Sequence, residues 1–257
     1  MNYQYLKIRI KDRVGWIEYN RPPINSFNWE MLHEVLTALE SLLKDPKVRV
    51  IVFASAIEKY FSTGAEIRIF DRISIKGIKK WVSICHGLVS QMHQAQKPLL
   101  AALRGIAASG GLEIVLHCDI RFAAADARLG HPEINIEFIP TIGATHALIR
   151  LLGRPRALRL LYEGNLVSAE EAHTMGLVDF IFPPERILEE VQAYAGLLAQ
   201  KPAGALAVIR RTIIEGQTVP LDKGLKIEFE SALKLAGTKD FSEGISAFVE
   251  KRKPSWD

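Results

Sequence analysis

The spacing of apolar residues changes twice near the start of the chain. Residues 5–20 contain two stretches of alternating polar and apolar side chains around Lys11-Asp12-Arg13, a pattern that predicts a β-hairpin. From Asn28 to Leu43 the apolar residues repeat with helical spacing, and Asn28 is a suitable N-cap. Residues 48–55, VRVIVFAS, are rich in β-branched side chains, as expected for a strand buried on both faces. This strand–helix–strand order predicts an α/β fold with a parallel sheet.

The same arrangement recurs further along the chain. Residues 98–105 and 119–127 again predict buried strands. The segments 53–67, FASAIEKYFSTGAEI, and 101–114, AALRGIAASGGLEI, share one plan of buried strand, small-residue turn and helix start. Their identity is too low for a repeat of fixed period, so we interpret them as two copies of one structural unit.

The last third of the chain has helical periodicity and few strand signals after Gly143. Ser168-Ala-Glu-Glu171 is a capping box, and Gly176 is suited to end the short helix that it opens. Longer helices are predicted at 184–200, 202–214, 221–236 and 240–251. We therefore expect an α/β core at residues 1–190 and a helical segment at residues 191–257 that packs against the core or against another subunit.

Composition narrows the class of protein. Of the 257 residues, 48% are hydrophobic and 24% charged, which are the proportions of a folded globular protein. A net charge of +4 is too small to predict a nucleic-acid partner. Cys85 and Cys118 are the two cysteines, too few for a disulfide framework or a zinc set, and they favour a cytoplasmic location. No apolar run reaches the length of a membrane span and the N-terminal residues lack a secretion signal, so no membrane partner is expected.

Two glycine turns offer backbone N–H groups. FSTGAEI, residues 61–67, and ASGGLEI, residues 108–114, each follow a strand and precede a helix start, where N–H groups lack intrahelical acceptors. Two such donors directed at one oxygen form an oxyanion hole. Ordinary tight packing between strand and helix explains the same glycines, and the residues alone do not decide between the two.

Two glutamates stand among apolar neighbours. Glu113 interrupts the run Leu112–Leu116, where an unpaired charge is costly. It is either a catalytic carboxylate or a residue that offsets the dipole of a first helical turn. Glu133, in LGHPEINIEF, follows Pro132 and precedes Ile134 and Ile136. It is either an enclosed carboxyl group with a raised pKa or a surface residue at the end of a strand. The histidines form no metal-ligand pattern, and no metal is expected.

Together these motifs resemble the crotonase, or enoyl-CoA hydratase/isomerase, superfamily over essentially the whole chain. YFSTGAEI is similar to its first oxyanion segment and AALRGIAASGGLEIVLHCDIRFA to its second. ARLGHPEI is similar to the segment with the second carboxylate, and EGISAFVEKRKPSW to the C-terminal helix. The resemblance implies a spiral of repeated β-β-α units with a helical trimerisation segment, and a homotrimer or homohexamer.

The resemblance also implies a site and a reaction. The N–H groups of Ala65 and Gly110 would hold the thioester oxygen, and Glu113 and Glu133 fall on both carboxylate positions of the hydratases. The implied activity is addition of water to a 2-enoyl-CoA in fatty-acid or related acyl-CoA degradation. Glu113 is expected to activate water and Glu133 to protonate Cα. CoA enters as part of the substrate, with no separate cofactor, and the positions of Phe248 and Lys251 are implied to reach the CoA of a neighbouring subunit.

Because of three departures from the family pattern, we keep two alternatives to the hydratase function. Thr141 replaces a glycine that lies near the attacking water in the family, Glu66 replaces an aspartate, and NRPPINSF is as short as in the isomerases. A double-bond isomerase that works with Glu133 alone, or another acyl-CoA enzyme of this superfamily, is the first alternative. An RNA-associated binding protein that uses basic patches is the second. The acyl group is expected to contact the loop at residues 67–81.

Overall fold

Two β-sheets form the centre of the structure, a computed structural model that describes residues 3–256. The strands of this region are Leu6–Lys11 (β1), Val14–Tyr19 (β2), Val50–Ser55 (β3), Tyr60–Ser62 (β4), Leu99–Leu103 (β5), Ile106–Ala108 (β6), Ile120–Ala124 (β7), Arg128–Gly130 (β8), Leu166–Ser168 (β9) and Phe180–Phe182 (β10). The larger sheet has the order β1-β2-β3-β5-β7-β10 and the smaller one β4-β6-β8-β9.

The larger sheet contains the predicted hairpin and the predicted parallel strands. β1 and β2 are antiparallel, with Ile8 opposite Ile17, and Asp12 and Arg13 form the turn. β2, β3, β5, β7 and β10 are parallel. All six residues of β3 are buried, which explains its lack of polar alternation. The α/β class and the parallel sheet are confirmed.

Three successive strand pairs connect the two sheets. In β3–β4, β5–β6 and β7–β8 the first strand lies in the larger sheet and the second in the smaller. Helical segments follow each pair, so the chain advances by one strand position in both sheets at every repeat. This is the predicted spiral of β-β-α units, and the likeness of segments 53–67 and 101–114 reflects equivalent places in consecutive repeats.

Six of the α-helices within residues 3–256 begin within three residues of a predicted position. The α-helices of this region are Trp29–Lys44 (α1), Ile75–Gln94 (α2), Gly110–Val115 (α3), Ala144–Leu152 (α4), Arg154–Glu163 (α5), Ala169–Met175 (α6), Ile187–Ala199 (α7), Ala203–Gly216 (α8), Leu221–Ala236 (α9) and Lys239–Val249 (α10). The Asn28 side chain accepts from the N–H of Met31, and the Ser168 side chain from that of Glu171. Both N-caps are therefore confirmed. The strands β9 and β10, each three residues long, interrupt the helical region after Gly143.

One arginine anchors the C-terminal helices to the core. Arg210 of α8 is 7% exposed and its Nε donates to both carboxylate oxygens of Asp119 at 2.9 Å. Its other nitrogens donate to the carbonyls of Met92 at 2.8 Å and Ala95 at 2.7 Å. These carbonyls end α2, where a cation is favourable.

The expected boundary between residues 190 and 191 falls inside α7, which packs against β2, β3, β5 and β7.

The C-terminal helices keep a large apolar surface uncovered. On α8, α9 and α10, side chains that are about half exposed or more include Ile209, Ile213, Leu225, Phe229, Leu233 and Ile245. So many exposed apolar side chains on three successive helices are typical of an interface rather than of a solvated surface. Between residues 3 and 256, no helix combines the length and the apolar character needed to cross a bilayer.

Candidate active site

A cavity of about 250 Å³ lies where the two predicted glycine turns meet. Ala65, Gly110, Glu113 and Glu133 all line it. A larger cavity, of about 720 Å³, lies on the other side of residues 141–144, and neither glutamate lines it. We identify the candidate site with the smaller cavity because both glutamates and both glycine turns line it.

The first turn is held against the segment that follows β2. The N–H of Phe27 donates to Gly64 O at 2.7 Å, and the N–H of Glu66 donates to Phe27 O at 2.8 Å. This parallel bridge pairs Phe27 with Ala65 and therefore turns the N–H of Ala65 away from Phe27. Gly64 has φ +81°, and a Cβ there would lie 2.5 Å from Ser109 Cβ. The two turns consequently touch each other through glycine.

The second turn includes a strained residue. Ser109 has φ 52° and ψ −135°, a region that a residue with a Cβ rarely adopts. Its N–H donates to Gly130 O at 3.0 Å, which fixes the chain just before α3. Gly110 follows as the first residue of α3. Within residues 3–256 the N–H groups of Ala65 and Gly110 donate to no protein acceptor. Both are thus available to an oxygen bound in the cavity.

Glu113 lies one turn into α3 and is 2% exposed. Its Oε2 accepts from the N–H of Ile142 at 2.5 Å and of Ala144 at 3.5 Å, and its Oε1 from that of Thr141 at 3.3 Å. Burial and the nearby Glu133 raise the pKa of Glu113 to about 8, although the three N–H groups act in the opposite direction. Glu113 is therefore oriented by backbone donors and titrates near neutrality.

Glu133 comes from a short 3-10 helix, Pro132–Ile136, and is 6% exposed. Its carboxylate oxygens have no hydrogen-bond partner among the described residues. His131 Nδ1 is 3.8 Å from its Oε2. Burial acts to raise the pKa of Glu133, but His131, the Ser109 side chain and the N–H of Glu133 itself together outweigh burial and lower it. The two glutamates thus have pKa shifts of opposite sign, a property of carboxyl pairs that divide acid and base roles.

The other predicted residues lie in different places. Phe248, which is 84% exposed, and Lys251 lie at and just beyond the end of α10, and neither lines the cavity. Ile136 lines the cavity, whereas Ile134 does not.

The predicted loop 67–81 contains a 3-10 helix, Ile67–Phe70, and the start of α2, so the expectation of a loop there is wrong. Five of its side chains form the apolar wall: Ile67, Phe70, Ile73, Ile78 and Trp81.

Several groups at the site were absent from the sequence prediction. Ser109, the backbone donors of Ile142 and Ala144, and the His131 imidazole all contact or approach the glutamates. Proximity in sequence could have indicated His131, but nothing in the sequence relates Glu113 to N–H groups 28 to 31 residues away. Across residues 3–256, no three His, Cys, Asp or Glu side chains are grouped to hold a metal ion.

Comparisons with known proteins agree with this architecture. The family model described as enoyl-CoA hydratase/isomerase matches residues 9–257. A crotonyl-CoA hydratase of Syntrophomonas wolfei is 30% identical over 100% of this chain and 99% of its own. A probable enoyl-CoA hydratase of Rhizobium meliloti is 33% identical over 98% of each chain.

Solved structures are equally similar. One from Geobacillus kaustophilus HTA426 superposes with a TM-score of 0.96 at 31% identity and covers 100% of this chain and 98% of that chain. An enoyl-CoA hydratase from Bacillus anthracis gives a TM-score of 0.94 at 33% identity, covering 98% and 99%. The chain therefore belongs to the enoyl-CoA hydratase/isomerase family.

Proposed function

We propose that this protein is an enoyl-CoA hydratase, which adds water across the double bond of a 2-enoyl-CoA thioester. The observation that carries the proposal is one shared cavity, lined by two buried glutamates and by Ala65 and Gly110, whose backbone N–H groups have no acceptor within residues 3–256. Relatives with 30–33% identity carry hydratase names, in support of the same reaction class.

In the proposed reaction the thioester carbonyl accepts from the N–H groups of Ala65 and Gly110. Water attacks Cβ, the C=C pair moves toward the thioester, and negative charge grows on the oxygen held by these donors. One carboxylate takes the proton released by water, and the other carboxyl group delivers a proton to Cα. The atoms of one water are thereby added, and no separate cofactor is needed because CoA is part of the substrate.

The opposite pKa shifts supply one ionised and one protonated carboxyl group. In the protein alone they put the proton on Glu113 and the charge on Glu133, the reverse of the roles expected from sequence. Because the two groups interact, the acid and base roles belong to the pair. We therefore propose that the pair acts as a unit and that water lies between Glu113, Glu133 and the N–H groups near Thr141.

The assay that tests the proposal follows loss of the conjugated-thioester absorbance of a short 2-enoyl-CoA. Glu113→Gln and Glu133→Gln should each reduce kcat by about 100-fold or more, since each removes one proton-transfer group. Glu137→Gln is the matched control, because this exposed glutamate is in the same segment as Glu133 but does not line the cavity. Undiminished hydration in both active-site variants would overturn the proposal.

A double-bond isomerase is the second candidate. The observation that favours it is the contrast between Glu113, already bonded to three N–H groups, and Glu133, whose carboxylate oxygens accept no hydrogen bond by geometry from residues 3–256 and whose Oε2 lies 3.8 Å from His131 Nδ1. Glu133 alone would remove a Cα proton from a 3-enoyl-CoA and return a proton to the γ carbon. This candidate predicts that Glu133→Gln loses isomerisation while Glu113→Gln retains it.

We further propose a homotrimer or a homohexamer in which Phe248 and Lys251 reach the CoA of a neighbouring subunit. The uncovered apolar residues of α8–α10 support association. The exposed Phe248 and Lys251 are remote from the cavity of their own chain, and a Lys suits the phosphates of CoA. We also propose a cytoplasmic role in fatty-acid or related acyl-CoA degradation, in keeping with two buried free cysteines.

A further inference from the structure

Ile142 is held at both ends, by Glu113 of α3 and by His117 in the turn just after α3. Its N–H donates to Glu113 Oε2 at 2.5 Å, and its carbonyl accepts from His117 Nε2 at 2.7 Å. Glu113 lies in α3 and His117 lies in the turn that follows it, where the N–H of His117 donates to Ile114 O at 3.2 Å, so the segment that carries both side chains is fixed to α3. The position of Ile142 is therefore set jointly by a catalytic glutamate and by a histidine outside the active-site cavity.

The imidazole of His117 also contacts the turn that begins α4. Gly143 has φ +83°, and a Cβ on it would lie 3.0 Å from the His117 ring. The next residue, Ala144, donates its N–H to Glu113. Removal of the ring would leave this turn without its support, so the three N–H groups that orient Glu113 depend on His117.

A second histidine fixes the proton arrangement. A carbonyl only accepts, so His117 Nε2 must carry its hydrogen, and Nδ1 of the neutral ring is then an acceptor. His93 Nε2 lies 3.1 Å from His117 Nδ1 and supplies the matching donor. Burial lowers the pKa of His117 to about 4 and also lowers that of His93, which keeps both rings neutral at pH 7.

Most of the charged groups around His93 and His117 disfavour protonation of the two rings. Arg210 of α8 and Arg150 of α4 disfavour a proton on His93, whereas Asp119 favours one. Arg121 and Arg150 disfavour a proton on His117. His86 and His146 line the same larger cavity. The pair is thus kept neutral by burial and by the arginines of α4, α8 and β7, against the effect of Asp119.

We propose that His117 is a positioning residue for hydration: it holds Ile142 so that the N–H groups of residues 141–144 stay directed at Glu113, with His93 fixing its tautomer. This inference rests on the proposed function. It concerns a residue that touches no substrate and acts through the backbone of Ile142.

The test compares three variants in the hydration assay. His117→Met, which fills similar space without a donor, should lower kcat about 10-fold with a much smaller change in KM, because a misplaced group loses productive geometry. It should also raise the pH midpoint of the kcat limb controlled by Glu113, since fewer N–H groups then stabilise the carboxylate. His117→Gln, whose amide N–H can reach the Ile142 carbonyl, should restore most of kcat and the pH midpoint. His93→Leu should give a partial loss.

The control is His86→Gln, in the wall of the same larger cavity, which should leave kcat and the pH midpoint unchanged. Absence of hydratase activity in the wild-type protein would refute the proposed function itself. An active wild type with His117→Met unchanged in both quantities would overturn the positioning role alone. Equal losses in the Met and Gln variants with a lower denaturation midpoint would also overturn it, because they indicate a purely structural residue. If His117→Met does not fold, His93→Leu provides the decisive kcat and pH readout.

Discussion

Arg21 and Glu66 form an ion pair in which Nη2 lies 2.6 Å from Oε2. Arg21 also donates to the carbonyl and hydroxyl oxygens of Ser26 at 2.8 Å. Glu66 immediately follows Ala65, so this guanidinium connects the segment after β2 to the residue whose N–H we propose as the first oxyanion donor. The ion pair is half-buried, which makes its hydrogen bonds worth more than those of a fully exposed pair.

Loss of this ion pair should affect both stability and activity. We expect Arg21→Met to reduce the free energy of unfolding by about 1–3 kcal/mol and to lower kcat/KM, because Ala65 loses its support. The measurements are denaturant unfolding and the hydration assay. Arg9→Met is the control, since Arg9 pairs with Glu18 at 3.2 Å on the β1–β2 hairpin. Equal kcat/KM values for both variants would contradict the link between Arg21 and the site.

Substitution of Gly64 should disable the proposed oxyanion site. A Cβ at Gly64 would lie 2.5 Å from Ser109 Cβ and 2.8 Å from the Gly110 nitrogen, so Gly64→Ala must push the two turns apart. We expect kcat to fall about 100-fold or more, the typical effect of losing one oxyanion donor. Gly153→Ala controls for backbone strain alone, because Gly153 has φ +74° with no atom within 4 Å of an added Cβ. A Gly64→Ala variant as active as Gly153→Ala would refute the prediction.

The raised pKa of Glu113 predicts a stability change with pH. Its folded-state pKa of about 8 exceeds the ordinary 4.5, so the native state binds the extra proton between these values. The contribution of Glu113 to the free energy of unfolding is complete below pH 4.5. It is lost as the pH rises through 8, with a slope of about 1.4 kcal/mol per pH unit. Glu113→Gln cannot ionise, so the stability difference between wild type and variant should shrink or reverse as pH rises from 5 to 8. Denaturant unfolding at fixed protein concentration measures it, and parallel pH curves would contradict it.

His131 should set the protonation of Glu133. Because its imidazole helps to lower the pKa of Glu133 against the effect of burial, His131→Phe should raise that pKa. The limb of the kcat/KM–pH profile that reports Glu133 in the free enzyme should move upward. His33→Phe, on the exposed side of α1, should leave the profile unchanged. A His131→Phe profile that overlays the wild type would exclude this role.

The apolar face of the C-terminal helices predicts the assembly state. Phe229 on α9 is 64% exposed, and Phe229→Glu should convert a trimer or hexamer into smaller species, because a charge would be buried at the interface. Tyr162→Glu, at a 70% exposed position on α5, is the control. Light scattering after size-exclusion chromatography measures the mass. A monomeric wild type would refute the predicted association.

The spacing of apolar and capping residues along the chain predicted those helices and strands whose structure depends on nearby residues. The all-buried β3, the amphipathic α1 with its Asn28 cap and the capping box at Ser168 were predicted because each depends on residues close together in sequence. Glu113 was a candidate because a carboxylate in an apolar run requires a compensating environment. The strands β9 and β10 were not predicted, because three residues are too few to show the alternation of polar and apolar side chains that indicates a strand.

Other features depend on tertiary structure and have no local pattern. The φ of Ser109 is imposed by its bond to Gly130 and by contact with Gly64. The N–H donors to Glu113 and the bond from His117 to Ile142 join residues brought together by the start of α4. The sequence therefore indicated two carboxylates that line the cavity, whereas the groups that orient them became apparent only in the folded chain.

The contacts of Arg210 have a mechanical consequence. One guanidinium joins α8 to the last carbonyls of α2, and α2 carries Trp81 in the apolar wall of the cavity. In the proposed oligomer, α8 cannot move without breaking these hydrogen bonds or moving α2 with it. Assembly through the C-terminal helices would therefore change the proposed acyl-binding wall through the contacts of Arg210.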